Sequence, residues 1–240
     1  MRKMMILMAG IAGLATSASA QYIRIAPEIG FNVSNIRSAV DNGRKTEYNS
    51  ADPKLGLKIG GIVDIGVTRS FSIQPGLFLS QKGYRLKEDP TNGVVIRQED
   101  AWRKATFNYL EMPLNVMFKF GSPRYPRFFV GGGGYLAYGI GGKVKYGPYL
   151  GESSKTTRDL EFGTDERNDD YRNFDAGGQL FAGVLMPFGG YIRAQYQGGF
   201  ANIDPANSDD FRIRNSTASL TFGVMVGGRD HGPRRHYHRR

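Results

Sequence analysis

Histidine is the side chain that acid–base and metal chemistry most often require, and here it is confined to one end. His231, His236 and His238 are the chain's three, all within the last ten residues. No strand-like run holds one, so a Ser-His-Asp triad or an Asp-His protease site lacks its base. Cysteine is absent, which removes thiol nucleophiles, thiolate metal sites and disulfides. Carboxylates remain. Glu28, Asp64 and Glu111 could form an acid–base pair, but each has lysine or arginine within reach on the same side of its run. That pattern points to neutralisation rather than catalysis. Asp165, Glu166, Asp169 and Asp170 crowd one stretch and could gather oxygens around calcium. They lack EF-hand spacing and alternate with Arg167 and Arg172, as a solvated loop does. Gly139 to Val144 resembles a phosphate loop ahead of Lys143, yet no Ser or Thr follows the lysine and no helical pattern comes after it. A strand end is the expectation there. Asn215-Ser216-Thr217 fits a glycosylation sequon and reads as chance inside a strand. No catalytic residue, metal or cofactor is therefore expected.

The elements that would carry such residues are strands. Ile23, Ile25, Pro27, Ile29, Phe31 and Val33 alternate with Arg24, Ala26, Glu28, Gly30 and Asn32. Leu55, Leu57, Ile59, Gly61, Val63, Ile65 and Val67 alternate with Gly56, Lys58, Gly60, Ile62, Asp64 and Gly66. Phe71 to Tyr84 and Phe107 to Phe120 repeat the pattern, with Leu77 and Leu114 on the apolar side and Lys82, Glu111 and Lys119 on the other. Four more runs follow, Phe128–Ile140, Phe174–Met186, Tyr191–Phe200 and Thr217–Val226. A period of two with one apolar face predicts half-buried strands. Mean hydropathy is −0.39. No segment after the first twenty residues is apolar enough for a transmembrane helix, but a membrane barrel hides from such scales, because only alternate residues meet lipid.

The connections alternate in length. Long ones fall at 34–54, 86–104, 142–172 and 202–214, and short ones at 67–70, 121–126 and 187–190. With the mature N-terminus inside, every long connection lies outside, as in transmembrane barrels. Phe71, Phe118, Phe120, Phe128 and Tyr191 lie beside the short turns, and Phe31, Tyr138 and Phe200 toward the long ones. Two aromatic belts at the lipid interfaces are expected from this. The fold expected is a closed antiparallel up-and-down transmembrane β-barrel of about eight strands. Its interior would be just wide enough for side chains. Arg24, Glu28, Lys58, Asp64, Lys82, Glu111, Lys119 and Arg193 would face inward and neutralise one another. Inward glycines at 60, 76, 131 and 133 would make room for Tyr, Arg and Lys side chains. A soluble lipocalin-like binding barrel is the mirror reading, with the apolar face turned in.

The ends complete the division of the chain. Arg2 and Lys3, the apolar stretch Met4 to Leu14 and Ala18-Ser19-Ala20 predict a signal peptide, residues 1–20, cleaved after Ala20. Residues 21–227 form the barrel, and 228–240 a basic His/Arg-rich tail in the periplasm. The formal charge of +10 falls to +8 with the signal, and much of the excess is this tail. A nucleic-acid partner is not expected from a charged tail alone. The tail reads as a solvated extension; attraction to anionic head groups and weak zinc capture by His236 and His238 are the functional alternatives.

Three stretches together resemble a known family. They are Ile29-Gly30-Phe31-Asn32-Val33-Ser34-Asn35, Gly60-Gly61 followed by Phe71 to Leu77 and Ser80 to Gly83, and Tyr109-Leu110-Glu111-Met112-Pro113-Leu114. In this order they are similar to the PorT-like outer-membrane β-barrel family. The resemblance implies an outer-membrane barrel, with one branch of the family linked to type IX protein secretion. It carries over no functional residue.

The function expected is a non-enzymatic outer-membrane barrel whose loops bind a partner or ligand, with an accessory role in the envelope or in protein secretion. A small channel and an envelope enzyme are the alternatives. Expected partners are outer-membrane lipid, the barrel-assembly machinery during biogenesis, and a surface or secretion-machine protein. Loop 142–172, with Tyr146 and Tyr149, is the expected contact. Leu57→Arg and Leu77→Arg are expected to impair insertion, and Gly56→Ser and Ser72→Asn to be milder.

Overall fold

Alternation of this kind leaves each strand one apolar edge of side chains, and eight such strands satisfy their backbone groups in lipid only by closing on themselves. The computed structural model describes residues 22–40, 52–87, 102–146, 156–160, 162–163, 172–201 and 211–228. Its strands are β1 (Tyr22–Val40), β2 (Asp52–Gly66), β3 (Phe71–Lys87), β4 (Trp102–Phe120), β5 (Arg127–Tyr146), β6 (Thr156–Asp159), β7 (Phe174–Leu185), β8 (Gly190–Gly199) and β9 (Phe211–Val224). Each strand pairs antiparallel with its neighbour, β5 skips to β7, and β9 returns to β1. The result is a closed eight-stranded barrel with β6 added to the outer end of β5.

The register fixes its shape. Stepping from Ile23 across the pairs Ile65, Ile73, Val116, Gly132, Leu180, Tyr196 and Ala218 returns to β1 at Val33, ten residues from the start. A stagger of ten over eight strands tilts the strands by about 40° and sets the backbone roughly 17 Å across. Every residue on that path faces outward. Ile23, Leu57, Leu77, Leu114 and Leu180 are all more than half exposed, so the apolar face is turned out. This removes the lipocalin-like reading.

Strands outrun the apolar runs read from sequence. β5 has 20 residues and β1 and β4 have 19 each, against the roughly 9–11 that cross lipid. Ladder pairing continues beyond the hydrocarbon, where outward residues turn polar and so read as loop. The expected connection 34–54 therefore begins only after Val40, and that at 142–172 contains the end of β5 and all of β6. Gly139 to Val144 lies in β5, paired with β4, as the strand-end reading required.

The barrel's last described contact is a two-way bridge. Ile25 N donates to Val226 O at 2.9 Å, and Val226 N to Ile25 O at 2.7 Å. A chain ended after Gly228 keeps this bridge and is expected to assemble like the full chain, read by the heat-dependent gel shift of barrels. Loss of assembly would give residues 229–240 a role in folding. His231, His236 and His238 lie outside the described residues, as do the calcium-like cluster 165–170 and the signal 1–20.

Candidate functional site

The eight charged residues expected inside are all there, each no more than 8% exposed. They come together in three groups. Nearest the short turns, Asp64 accepts from Arg24 Nη2 at 2.7 Å and from Lys119 Nζ at 3.0 Å. Lys119 also donates to Tyr22 Oη at 2.6 Å. Next, Glu28 pairs with Arg193 Nη1 at 3.2 Å and takes a short hydrogen bond from Tyr191 Oη. Gln74 joins these two groups, donating to Asp64 Oδ1 at 2.9 Å and accepting from Arg193 Nη2 at 3.0 Å. Further out, Glu111 holds Lys58 at 3.3 Å and Lys82 at 3.1 Å. Gln197 donates to the same carboxylate at 2.6 Å and to Gln179 at 2.8 Å.

Three features of this interior were missed in the sequence. Asp175 is fully buried and accepts from Asn215 Nδ2 at 2.9 Å and from Tyr135 Oη at 3.4 Å. It follows Phe174, an outward residue, so the period of two already placed it inside. Asn215 is thus a lumen residue, which disposes of its sequon. Lys54 and Arg127 are also buried, at 6% exposed each; both sit at the ends of runs, where phase is hardest to read.

The third feature is aromatic. Ala26, Ile62, Phe78, Met117, Phe129, Phe181, Leu185, Tyr191 and Met225 form one buried cluster. A second contains Tyr84, Phe107, Tyr109, Tyr135, Val144 and Leu160, with Phe162 packed on it. The rings cover the cations. Lys58 Nζ lies 4.4 Å from the Phe78 centroid, and the Arg193 guanidinium 4.5 Å from that of Phe181. Such contacts favour a desolvated cation by about 2 kcal/mol. The inward glycines make room chiefly for these rings rather than for long polar side chains. A Cβ on Gly131 would stand 2.4 Å from the Phe181 ring. Tyr191 is corrected as well. It is 3% exposed inside the barrel and belongs to no lipid-facing belt, because its phase in β8 turns it inward.

Chemically, this interior neutralises and fills. Glu28, Asp64 and Glu111 are each held by cations and closed off from solvent, so none of these three is free to exchange a proton with a substrate. Among the described residues, no three His, Asp or Glu converge as a metal site, and no helix is long and apolar enough to cross a membrane. Toward the long connections, Leu160 and Phe162 lie over the outer aromatic cluster. A Cβ on Gly142 would meet Leu160 at 2.7 Å, and one on Gly139 would meet Phe162 at 2.8 Å.

The outer membrane protein beta-barrel domain family matches residues 15–205, a span that holds β1 to β8. The chain belongs to this family. An outer-membrane barrel is thus established by domain match and by closure of the strands. Solved barrels are similar in outline. Ail of Yersinia pestis, in complex with the heparin analogue sucrose octasulfate, is 14% identical; the match covers 85% of this chain and 99% of Ail, at a TM-score of 0.38. OprG from Pseudomonas aeruginosa is 11% identical over 88% of this chain and 97% of its own, also at 0.38. Neisserial surface protein A is 9% identical over 85% and 96%, at 0.37. No curated protein matches the chain. Membership of the outer membrane protein beta-barrel domain family places the protein in the bacterial outer membrane.

Proposed function

We propose that this outer-membrane barrel is a non-enzymatic scaffold whose outer end engages a protein partner of the surface or of a secretion machine. The PorT-like resemblance supports an accessory role of that kind. The filled lumen is the observation that carries the reading. A bore of roughly 17 Å between backbones is occupied by paired charges and two aromatic clusters. With the interior committed to stability, binding falls to the outer rim. A rigid barrel presenting four long connections at one end is the arrangement on which binding loops usually stand. Lipid and the barrel-assembly machinery are its other partners. The chain is exported with residues 1–20 removed after Ala20, and residues 228–240 lie in the periplasm.

One purification from outer membranes tests this. The intact mass is expected to begin at Gln21, and a partner is expected to co-purify after mild cross-linking. Deletion of 147–155, which spares β5, β6 and the packing of Leu160, is expected to release that partner while the barrel still assembles. In planar bilayers the purified protein is expected to give no steady conductance. Open-channel currents at moderate voltage would instead support the small-channel alternative and sink the scaffold reading.

A further inference from the structure

Outside the barrel, the wall of β3, β4 and β5 changes character in steps as it rises toward the long connections. Leu79, Leu110 and Tyr138 stand abreast on its outer surface. Two residues further along, Gln81 faces Asn108, and Gln81 Nε2 donates to Asn108 Oδ1 at 3.2 Å. Thr106 then opposes Lys143, and at the top Arg85, Lys104 and Lys145 align. Apolar, amide, hydroxyl and cationic rows thus follow one another over about 20 Å of strand.

These upper rows border an open cleft of about 660 Å³ that Lys54, Lys104, Lys143 and Lys145 help to line. Among the described residues, Asp159 is the one carboxylate in the lining, 3.8 Å from Lys143. Lys54 is 6% exposed, and the charge that bears on it is the like charge of Lys104. Its stem lies where Gly83 has no side chain: a Cβ there would stand 3.0 Å from Lys54 Cδ. Among the described residues, no carboxylate pairs with Lys54 or Lys104. A buried ammonium beside a second ammonium is costly unless an anion joins them.

We propose that this face binds the phosphorylated head group of a glycolipid in the outer leaflet. Acyl chains lie along Leu79, Leu110 and Tyr138. Sugar hydroxyls meet Gln81, Asn108 and Thr106, and phosphate meets the four lysines. The position argues for a lipid rather than a free anion, because Lys104, Lys143 and Lys145 stand on the outward face directly above a lipid-facing row, and Lys54 reaches the same cleft from β2. The site is independent of whatever the long connections bind.

The test uses the full-length protein in detergent micelles and native mass spectrometry. The probes are a hexa-acylated glucosamine disaccharide with two phosphates, the same lipid without phosphates, and inorganic pyrophosphate. The diphosphorylated lipid is expected to bind at least tenfold more tightly than either of the others. Lys104→Gln/Lys145→Gln is expected to lose at least tenfold while keeping the heat-dependent gel shift of the wild type. Arg69→Gln/Arg124→Gln, at the short turns of the opposite end, is expected to leave binding unchanged. Equal binding of the phosphate-free lipid overturns the proposal. So does equal binding by the lysine double variant, or equal loss in the arginine one. Pyrophosphate binding as tightly as the lipid would make the cleft a free-anion site and overturn the lipid assignment.

Discussion

Asp64→Leu is expected to destabilise the folded barrel by about 3–5 kcal/mol, the cost of leaving buried charge uncompensated. Asp64 is fully buried and holds two cations at once, Arg24 at 2.7 Å and Lys119 at 3.0 Å. Its loss leaves both without an anion and takes an acceptor from Gln74, which links this group to Arg193. Lys119→Met is expected to cost less, because Arg24 still neutralises Asp64. Urea unfolding in lipid vesicles, followed by the fluorescence of Trp102, the single tryptophan, and by the gel shift, measures both. A wild-type midpoint for Asp64→Leu would mean that the paired interior contributes little to stability.

Leu57→Arg is expected to cost about 2–4 kcal/mol where the side chain meets the middle of the bilayer. Leu57 is 57% exposed on the lipid face, and Leu77, at 52%, is expected to behave alike. Gly56→Ser does not belong among the mild changes. A Cβ at position 56 would come within 2.1 Å of the Gln81 carbonyl oxygen, so β3 would have to move. Ser72→Asn remains the gentlest, since its side chain lies inside beside Asp64 and an amide keeps a donor there. The fraction assembled into vesicles ranks the four. Normal assembly of Leu57→Arg would reverse the assignment of faces.

The sequence carried the barrel because a period of two is a local signal that survives reading one strand at a time. Ile23 to Val33 and Leu55 to Val67 show their faces without any partner. What it could not carry is distance across the lumen. That Glu111 takes Lys58 and Lys82, while Asp64 takes Arg24 and Lys119, depends on the register of β1 to β4 against one another, which no strand read alone reveals. The alternation is enough to turn Phe78, Phe129 and Phe181 inward, but it names no partners for them. Their stacking over cations required the glycines opposite to be matched with particular rings. The basic wall was legible even less, because Lys104 and Lys145 read as loop once the apolar alternation stopped.

The seam between β1 and β9 has a kinetic consequence. Ser219 Oγ donates to Asn32 Oδ1 at 2.8 Å across 187 positions of chain. Every intermediate short of β9 has two open edges, one on β1 and one on the newest strand. Translation from the N-terminus therefore cannot deliver a closed ring in stages, and closure waits for nearly the whole chain. Contacts of such long sequence separation form slowly, since the loop entropy is lost before the contact repays it. Until then the same alternation that suits lipid leaves sticky strands in water. Delivery of the chain in unfolded, escorted form is thus built into the order of its strands.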